Sequence, residues 1–234
     1  MIKTAIVTGG TKGIGFGVAE ALIKEGIQVA ITGRDKKTVD EATRKLNEIK
    51  SGLALGIVAD VRSLDSQNLM VQEVVNKFGG VNYFIANAGI GHFATIQDMT
   101  DEQWHETIDT NLTGVFYGIK AVHPALKKSE GYFITISSLA GTNFFAQGAA
   151  YNASKFGLVG FSQAIMLDLR KDKINVTTIM PGSVATNFNN HEVNDADSWK
   201  IQPEDIGRLV VDLIKMPSRT LPSKIEVRPS QPQS

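Results

Sequence analysis

The chain of 234 residues contains no cysteine. Disulfide bridges, thiolate nucleophiles and cysteine-ligated metals are therefore excluded. Its four histidines, His92, His105, His123 and His191, show no paired ligand spacing of the H-E-x-x-H kind, so each is read as a surface or packing residue and no metal site is expected. Neither sign of charge is in excess: 24 Lys and Arg offset 24 Asp and Glu. The overall basic footprint of a nucleic-acid binder is missing, and no nucleic-acid partner is expected. No apolar run approaches the length of a membrane span. The opening run Met1–Val7 is too short for a signal peptide, so the default expectation is a cytoplasmic protein with no membrane partner.

What is present is an ordinary globular composition, 42% hydrophobic and 21% charged. The length suits one large α/β domain over residues 1–234. Short apolar runs alternate with longer amphipathic segments. The candidate strands are Thr4–Thr8, Gln28–Thr32, Ala54–Val58, Tyr83–Asn87, Tyr132–Ser137, Asn175–Met180 and Lys224–Val227. Most are apolar on both faces, as strands covered by helices on each side must be. In Lys36–Lys50 the positions Val39, Ala42, Leu46 and Ile49 share one helical face, with Asp35 placed as N-cap. Further helices are expected at Ile14–Glu25, Ser66–Phe78, Asp101–Lys127, Tyr151–Arg170 and Glu204–Lys215. This alternation predicts a doubly wound parallel sheet of about seven strands, a Rossmann-type fold, with helices on both faces. Residues 228–234, with Pro229 and Pro232, read as a tail.

The first strand runs into Thr8-Gly9-Gly10-Thr11-Lys12-Gly13-Ile14-Gly15. Glycines at a strand-to-helix turn let backbone amides approach a pyrophosphate, and the helix offers its N-terminus to the negative charge. The spacing T-G-x-x-x-G-x-G resembles the cofactor motif of the short-chain dehydrogenase/reductase family. At the end of the second strand, where an acidic residue would hold the ribose hydroxyls of NAD, the chain has Gly33-Arg34. A guanidinium suits the extra phosphate of NADP(H), and Lys12 offers a second cation where the family places its NADP-binding basic residues. Asp35 follows too late for the ribose and is assigned to capping.

Tyr151 and Lys155 lie four apart on a predicted helix, hence on one face. A neighbouring ammonium and an oxidised nicotinamide would both favour the phenolate and draw the tyrosine towards the range useful for acid–base work. Ser138 ends the fifth predicted strand, at the carboxyl edge where α/β sheets bind ligands, and its hydroxyl can stabilise charge on a carbonyl oxygen. Ser137 is read as merely ending the strand.

The resemblance extends from about Lys3 to Thr186 with every motif in order. It implies that Gly9, Thr11, Lys12, Gly13, Ile14 and Gly15 hold the cofactor pyrophosphate, that Asp60 and Val61 contact the adenine, and that Asn87-Ala88-Gly89 forms the family's N-A-G turn. Pro181, Gly182, Val184 and Thr186 would bind the nicotinamide carboxamide. It further implies a catalytic set of Ser138, Tyr151, Lys155 and Asn111, with Tyr151 and Lys155 also touching cofactor and Asn111 interrupting the bonding of its helix and holding a relay water. The expected activity is hydride exchange between NADP(H) and a small carbonyl or alcohol substrate. The ending Leu221–Val227 lacks the V-D-G-G of many 3-oxoacyl-carrier-protein reductases and looks more like the hydroxy-acid dehydrogenase branch.

Candidate substrate-pocket residues are His92, Phe93, Leu139, Phe144, Phe145 and Phe188, with a short loop at residues 187–200. The helix from Tyr151 is apolar around most of its circumference, which points to a subunit interface and a homo-oligomer, tetramer or dimer. The rival readings are a non-catalytic NADP(H)-binding sensor or scaffold and a sugar-nucleotide epimerase or dehydratase. The complete set of four catalytic residues speaks against the first, and the glycine spacing against the second.

Overall fold

Residues 4–7 alternate between two cores. Ala5 and Val7 face one apolar layer and Ile6 the other, so all are buried in the strand β1 (Thr4–Val7). This period of two is what a strand sandwiched between helix layers requires. The structure, a computed structural model, describes residues 2–217 and 219–231. In chain order the elements after β1 are α1 (Gly13–Lys24), β2 (Gln28–Gly33), α2 (Lys36–Ile49), β3 (Ala54–Val58), α3 (Leu64–Phe78) and β4 (Tyr83–Ala86). There follow α4 (Asp101–Ile108), α5 (Gly114–Ser129), β5 (Tyr132–Ile136), α6 (Ala149–Asp168), β6 (Asn175–Pro181), α7 (Pro203–Ile214) and β7 (Lys224–Val227).

The seven strands form one parallel sheet in the order β3-β2-β1-β4-β5-β6-β7. The chain winds outward from β1 in one direction and from β4 in the other. The carboxyl ends of β1 and β4 therefore flank a crevice, the place where such sheets take ligands. On one face α1, α2 and α7 pack Val18, Leu22, Leu46 and Val210 against Val29, Ile31 and Ile134. On the other, α3, α5 and α6 pack Met70, Val122, Leu126 and Leu158 against Ile6, Phe84 and Phe133. Phe84 and Phe133 stack at 5.2 Å between neighbouring strands. Helices α1 and α7 touch through glycines: a Cβ on Gly17 would lie 2.7 Å from the Pro203 carbonyl oxygen, and one on Gly207 2.5 Å from that of Gly17.

Local signals set the helix ends. Asp35 accepts from the Thr38 amide at 2.8 Å and caps α2, as its position suggested. Thr100 and Gln103 form a capping box at the start of α4. The helix expected over Asp101–Lys127 is interrupted. Between α4 and α5 lies a wide turn with π-type hydrogen bonding at Asp109–Thr113, centred on Asn111, and α5 continues through Pro124 to Ser129. Residues 187–200 carry two short 3-10 turns, Phe188–Asn190 and Asp195–Asp197. Beyond β7, Arg228 pairs with Glu226 at 2.9 Å; Pro232, in the expected tail, lies outside the described residues. No helix among the described residues is long and apolar enough to cross a membrane.

Candidate active site

The glycine turn is held in shape by β4. The Thr8 hydroxyl accepts from the Asn87 and Ala88 amides, both at 3.1 Å, and Asn87 Nδ2 donates to the carbonyls of Thr8 and Gly9 at 2.9 and 3.1 Å. Gly9 and Gly13 have φ of +63° and +55°, a backbone region that side-chain-bearing residues rarely adopt. Gly15 is obligatory for space: its Cβ would lie 2.4 Å from both Asn87 Nδ2 and the Gly9 carbonyl oxygen. Lys12 is the N-cap residue of α1 and its side chain makes no capping bond, and the helix's first turn holds no acidic residue. Neither a capping side chain nor a first-turn carboxylate therefore stands at the N-terminus of α1. Ile14 lies in the first turn of the helix, and Thr11 packs towards Gly33 at the end of β2. A turn of positive-φ glycines, a helix N-terminus without a capping side chain and the position at the β1–β4 switch fit a dinucleotide.

At the far side of the cleft, Pro181 closes β6 and the following residues are clipped on both edges. Gly182 donates to Val227 O at 2.8 Å, Ala185 to Ile201 O at 2.9 Å, and Val184 bridges to Ile201. Thr186 reaches back over the glycine turn, where its methyl group would touch a Cβ on Gly13 at 3.2 Å. Thr186, from the segment named for the carboxamide, therefore lies beside Gly13 of the glycine turn.

Asp60 and Val61 follow β3. The Asp60 carboxylate is gripped by Arg62, which donates from its backbone amide at 2.9 Å and from its guanidinium at 2.7–3.1 Å. That bond is the main reason its carboxyl lies below the usual carboxylate range. Val61 is fixed through Gln67, whose Nε2 donates to Val61 O and to Gly114 O, each at 2.7 Å. Arg34 stands 57% exposed at the end of β2, with Glu106 of α4 at 3.5 Å as its acidic neighbour.

The catalytic candidates converge beyond β5 and on the first turns of α6. Lys155 is buried, and its Nζ donates to Ile136 O at 3.1 Å and sits 5.7 Å from the centre of the Tyr151 ring. Burial lowers its pKa to about 8. The Ser138 hydroxyl accepts from the Ala140 amide at 3.1 Å and lies beside Tyr151. Ser137 points the other way, its hydroxyl donating to Lys155 O at 3.3 Å. Asn111, in the wide turn, accepts from the Ile90 amide at 2.9 Å and donates to Ile90 O at 2.8 Å and Ser154 Oγ at 3.0 Å. Its side chain is thus fully engaged in holding the segment after Asn87-Ala88-Gly89. Gly89 lies close to both Asn111 and Lys155: a Cβ there would be 3.3 Å from Asn111 Oδ1 and 3.6 Å from Lys155 Nζ.

One electrostatic expectation changes. The lysine was expected to draw the tyrosine down. Among the protein's own groups, however, burial dominates and pushes the Tyr151 phenol above its usual value, with the Ser138 hydroxyl opposing. The lysine is itself buried and desolvated, and with a pKa of about 8 it still carries its proton at neutral pH.

Aromatic rings close over the tyrosine. Phe93 is edge-on to Tyr151 at 5.5 Å, Phe188 stands 5.7 Å from it, and Phe145 is 5.8 Å from Phe93. Phe144 is 87% exposed and stands outside this wall. His92 turns away to Glu106 at 2.9 Å. Sequence reasoning missed Asn152, whose Nδ2 donates to Ala140 O at 2.7 Å and Asn143 O at 2.8 Å, and so latches the segment carrying Phe145. It also missed Gln67 and Glu106. No local pattern marks these residues: Asn152 bonds back across 7 to 12 positions to a loop, and Gln67 and Glu106 reach Gly114 and Arg34, 47 and 72 positions away. Among the described residues no group of acidic and histidine side chains is placed to hold a metal ion.

The family model for short chain dehydrogenases matches residues 3–197, and the chain belongs to that family. It is 31% identical over 232 residues to an uncharacterized oxidoreductase of Staphylococcus saprophyticus, covering 97% of each chain. It is 34% identical over 187 residues to a 3-oxoacyl-acyl-carrier-protein reductase of Buchnera aphidicola, covering 80% of this chain and 75% of the other. A metagenomic short-chain oxidoreductase solved in complex with NADP superposes with a TM-score of 0.86 at 30% identity, over 98% of both chains.

Proposed function

We propose that the protein is an NADP(H)-dependent carbonyl reductase or alcohol dehydrogenase in which Tyr151 exchanges the proton. The observation that carries this reading is the grouping of the Tyr151 phenol, the Ser138 hydroxyl and the buried Lys155 at the carboxyl edge of β5. When bound, the nicotinamide supplies or accepts the hydride. Ser138 orients the substrate oxygen and stabilises charge developing on it. The Tyr151 hydroxyl donates its proton to that oxygen, and its raised pKa keeps the proton in place at neutral pH. Lys155 binds the nicotinamide ribose and supports the phenolate that forms. The wide turn at Asn111 loosens the helix beside Lys155, giving a path for proton resupply, while the asparagine side chain holds Ile90.

Gly9, Thr11, Lys12, Gly13, Ile14 and Gly15 would cradle the pyrophosphate, Asp60 and Val61 border the adenine, and Asn87, Ala88 and Gly89 form the floor. Pro181, Gly182, Val184 and Thr186 would meet the carboxamide. Arg34, assisted by Lys12, favours the 2′-phosphate of NADP(H), and the metagenomic relative solved with NADP supports that preference. The aromatic wall of Phe93, Phe145 and Phe188 suits a ketone, aldehyde or 3-oxoacyl group with apolar character, consistent with the carrier-protein reductase among the relatives. A homodimer or tetramer through α5 and α6 would cover Phe116, Phe156 and Leu167, which are 42, 43 and 55% exposed. A cytoplasmic location accompanies this reading.

The test is NADPH consumption against ketones, aldehydes, β-keto esters and oxoacyl thioesters. Tyr151→Phe should abolish turnover of the accepted class and leave NADPH binding intact; substantial residual turnover would overturn the assignment.

A further inference from the structure

The cation assigned to the 2′-phosphate already has a carboxylate partner. Glu106, near the end of α4, faces three positive or ionisable groups from three separate segments. Its Oε1 lies 3.5 Å from Arg34 at the end of β2 and 3.7 Å from Arg62 after β3. Its Oε2 lies 2.9 Å from His92 Nε2. The two arginines are not equivalent. Arg62 is committed to Asp60 through its backbone amide and the Nε–Nη2 edge of its guanidinium, whereas Arg34 makes no such bidentate pair and is 57% exposed. A long ion pair with an exposed guanidinium is weak and exchangeable.

We propose that Glu106 is a counter-ion that competes with the adenosine 2′-phosphate for Arg34 and so sets how tightly, and how selectively, this chain holds NADP(H). The inference rests on Arg34 being the 2′-phosphate partner. A phosphate arriving at Arg34 must displace the Glu106 oxygen, because two anions cannot share one guanidinium face without repulsion. The carboxylate cannot retreat far, since His92 holds its other oxygen. Its negative charge therefore stays within a few ångströms of the phosphate and subtracts from the attraction that Arg34 supplies. A cofactor with a free 2′-hydroxyl meets no such repulsion and can even donate to Glu106. The acidic residue absent from the end of β2 is thus present in space, brought from 72 positions further along the chain. This arrangement moderates the preference for the phosphorylated cofactor and allows faster exchange of it.

The experiment is calorimetric titration with adenosine 2′,5′-bisphosphate and with adenosine 5′-monophosphate, fragments whose binding needs no turnover. Glu106→Gln keeps a hydrogen-bond acceptor for His92 and removes the charge. It should tighten the bisphosphate about fivefold while leaving the monophosphate unchanged or weaker, and the gain should shrink at high salt. An unchanged ratio of the two affinities, a loss of bisphosphate binding, or a gain insensitive to salt would overturn the proposal. Arg34→Ala in the same titration tests the reading beneath it. If that variant weakens both fragments equally, the 2′-phosphate assignment of Arg34 fails. If it selectively weakens the bisphosphate while Glu106→Gln changes nothing, the competition alone fails.

Discussion

Lys155 Nζ donates to the carbonyl of Ile136, the last residue of β5, at 3.1 Å. The bond places the lysine under the end of a central strand. It also gives the desolvated ammonium a partner, although burial still lowers its pKa to about 8. A lysine whose folded pKa is lowered binds its proton less tightly in the folded state than in the unfolded chain. Between pH 8 and the ordinary lysine value of 10.5 the unfolded state therefore carries more protons, and this group adds stability as pH rises through that window. Below pH 8 the burial cost is fully present. Lys155→Met should be more stable than the parent at pH 7, by an amount that shrinks as pH climbs from 8 to 10.5. Thermal denaturation of both proteins across that range checks it. A difference that stays constant with pH would mean the ammonium is not the buried charge it is taken for. The same variant should lose turnover.

Asn152 explains how the aromatic wall is placed. It sits one residue after Tyr151, and its amide donates to Ala140 O and Asn143 O while Oδ1 accepts, at a longer 3.4 Å, from the Phe145 amide. Asn152→Ala would leave the buried Ala140 carbonyl unpaired and should cost about 1–3 kcal/mol in urea denaturation. The variant should raise KM for a bulky apolar substrate several-fold with a smaller change in kcat, because Tyr151 and Ser138 keep their own elements. Equal losses in kcat and KM for small and bulky substrates would show that the latch positions the catalytic pair rather than the wall.

The sequence was legible where chemistry and local geometry coincide. The strands of Val, Ile and Phe, the glycine turn with Gly9, Gly13 and Gly15, and the four-residue spacing of Tyr151 and Lys155 are all short-range patterns. Each implies its structure through backbone sterics or helical periodicity. The strand ends moved by only a residue: β1 stops at Val7, β4 at Ala86 and β5 at Ile136. Other features were legible only in part. The break at Asp109–Thr113 was implied by the resemblance through Asn111, but periodicity alone reads the segment as one continuous helix. What stabilises it is Asn111 bonding to Ile90 and Ser154, contacts made only after the chain folds. Tyr151 was expected to be lowered by its lysine together with an oxidised nicotinamide; among the protein's own groups the burial that tyrosine and lysine share, which no short-range pattern shows, pushes it up. The ionic cluster around Glu106 was invisible for the same reason as the first, since Arg34, Arg62, His92 and Glu106 meet only across the carboxyl edge of the sheet.

The loop at residues 187–200 is anchored by one carboxylate. Asp197 is 4% exposed, ion-paired to Lys200, 2.6 Å from His191 Nε2, and accepts from the Asn194 amide at 3.2 Å. The Lys200 ammonium, then His191, holds its carboxyl well below the ordinary range. A carboxyl with a lowered folded pKa contributes stability that is complete above its unfolded value of 3.8 and is lost as pH falls through the folded value. Asp197→Asn removes the charge at every pH. It leaves Lys200 and His191 facing a neutral amide, so the loop that carries Phe188 towards Tyr151 should open more often. Limited proteolysis at neutral pH should cut within residues 187–200 several-fold faster in the variant. The difference should narrow in strongly acidic solution, where the parent's own carboxylate takes up its proton. Equal cleavage rates at neutral pH would mean that backbone contacts, chiefly the Val184–Ile201 bridge, hold the loop without the carboxylate.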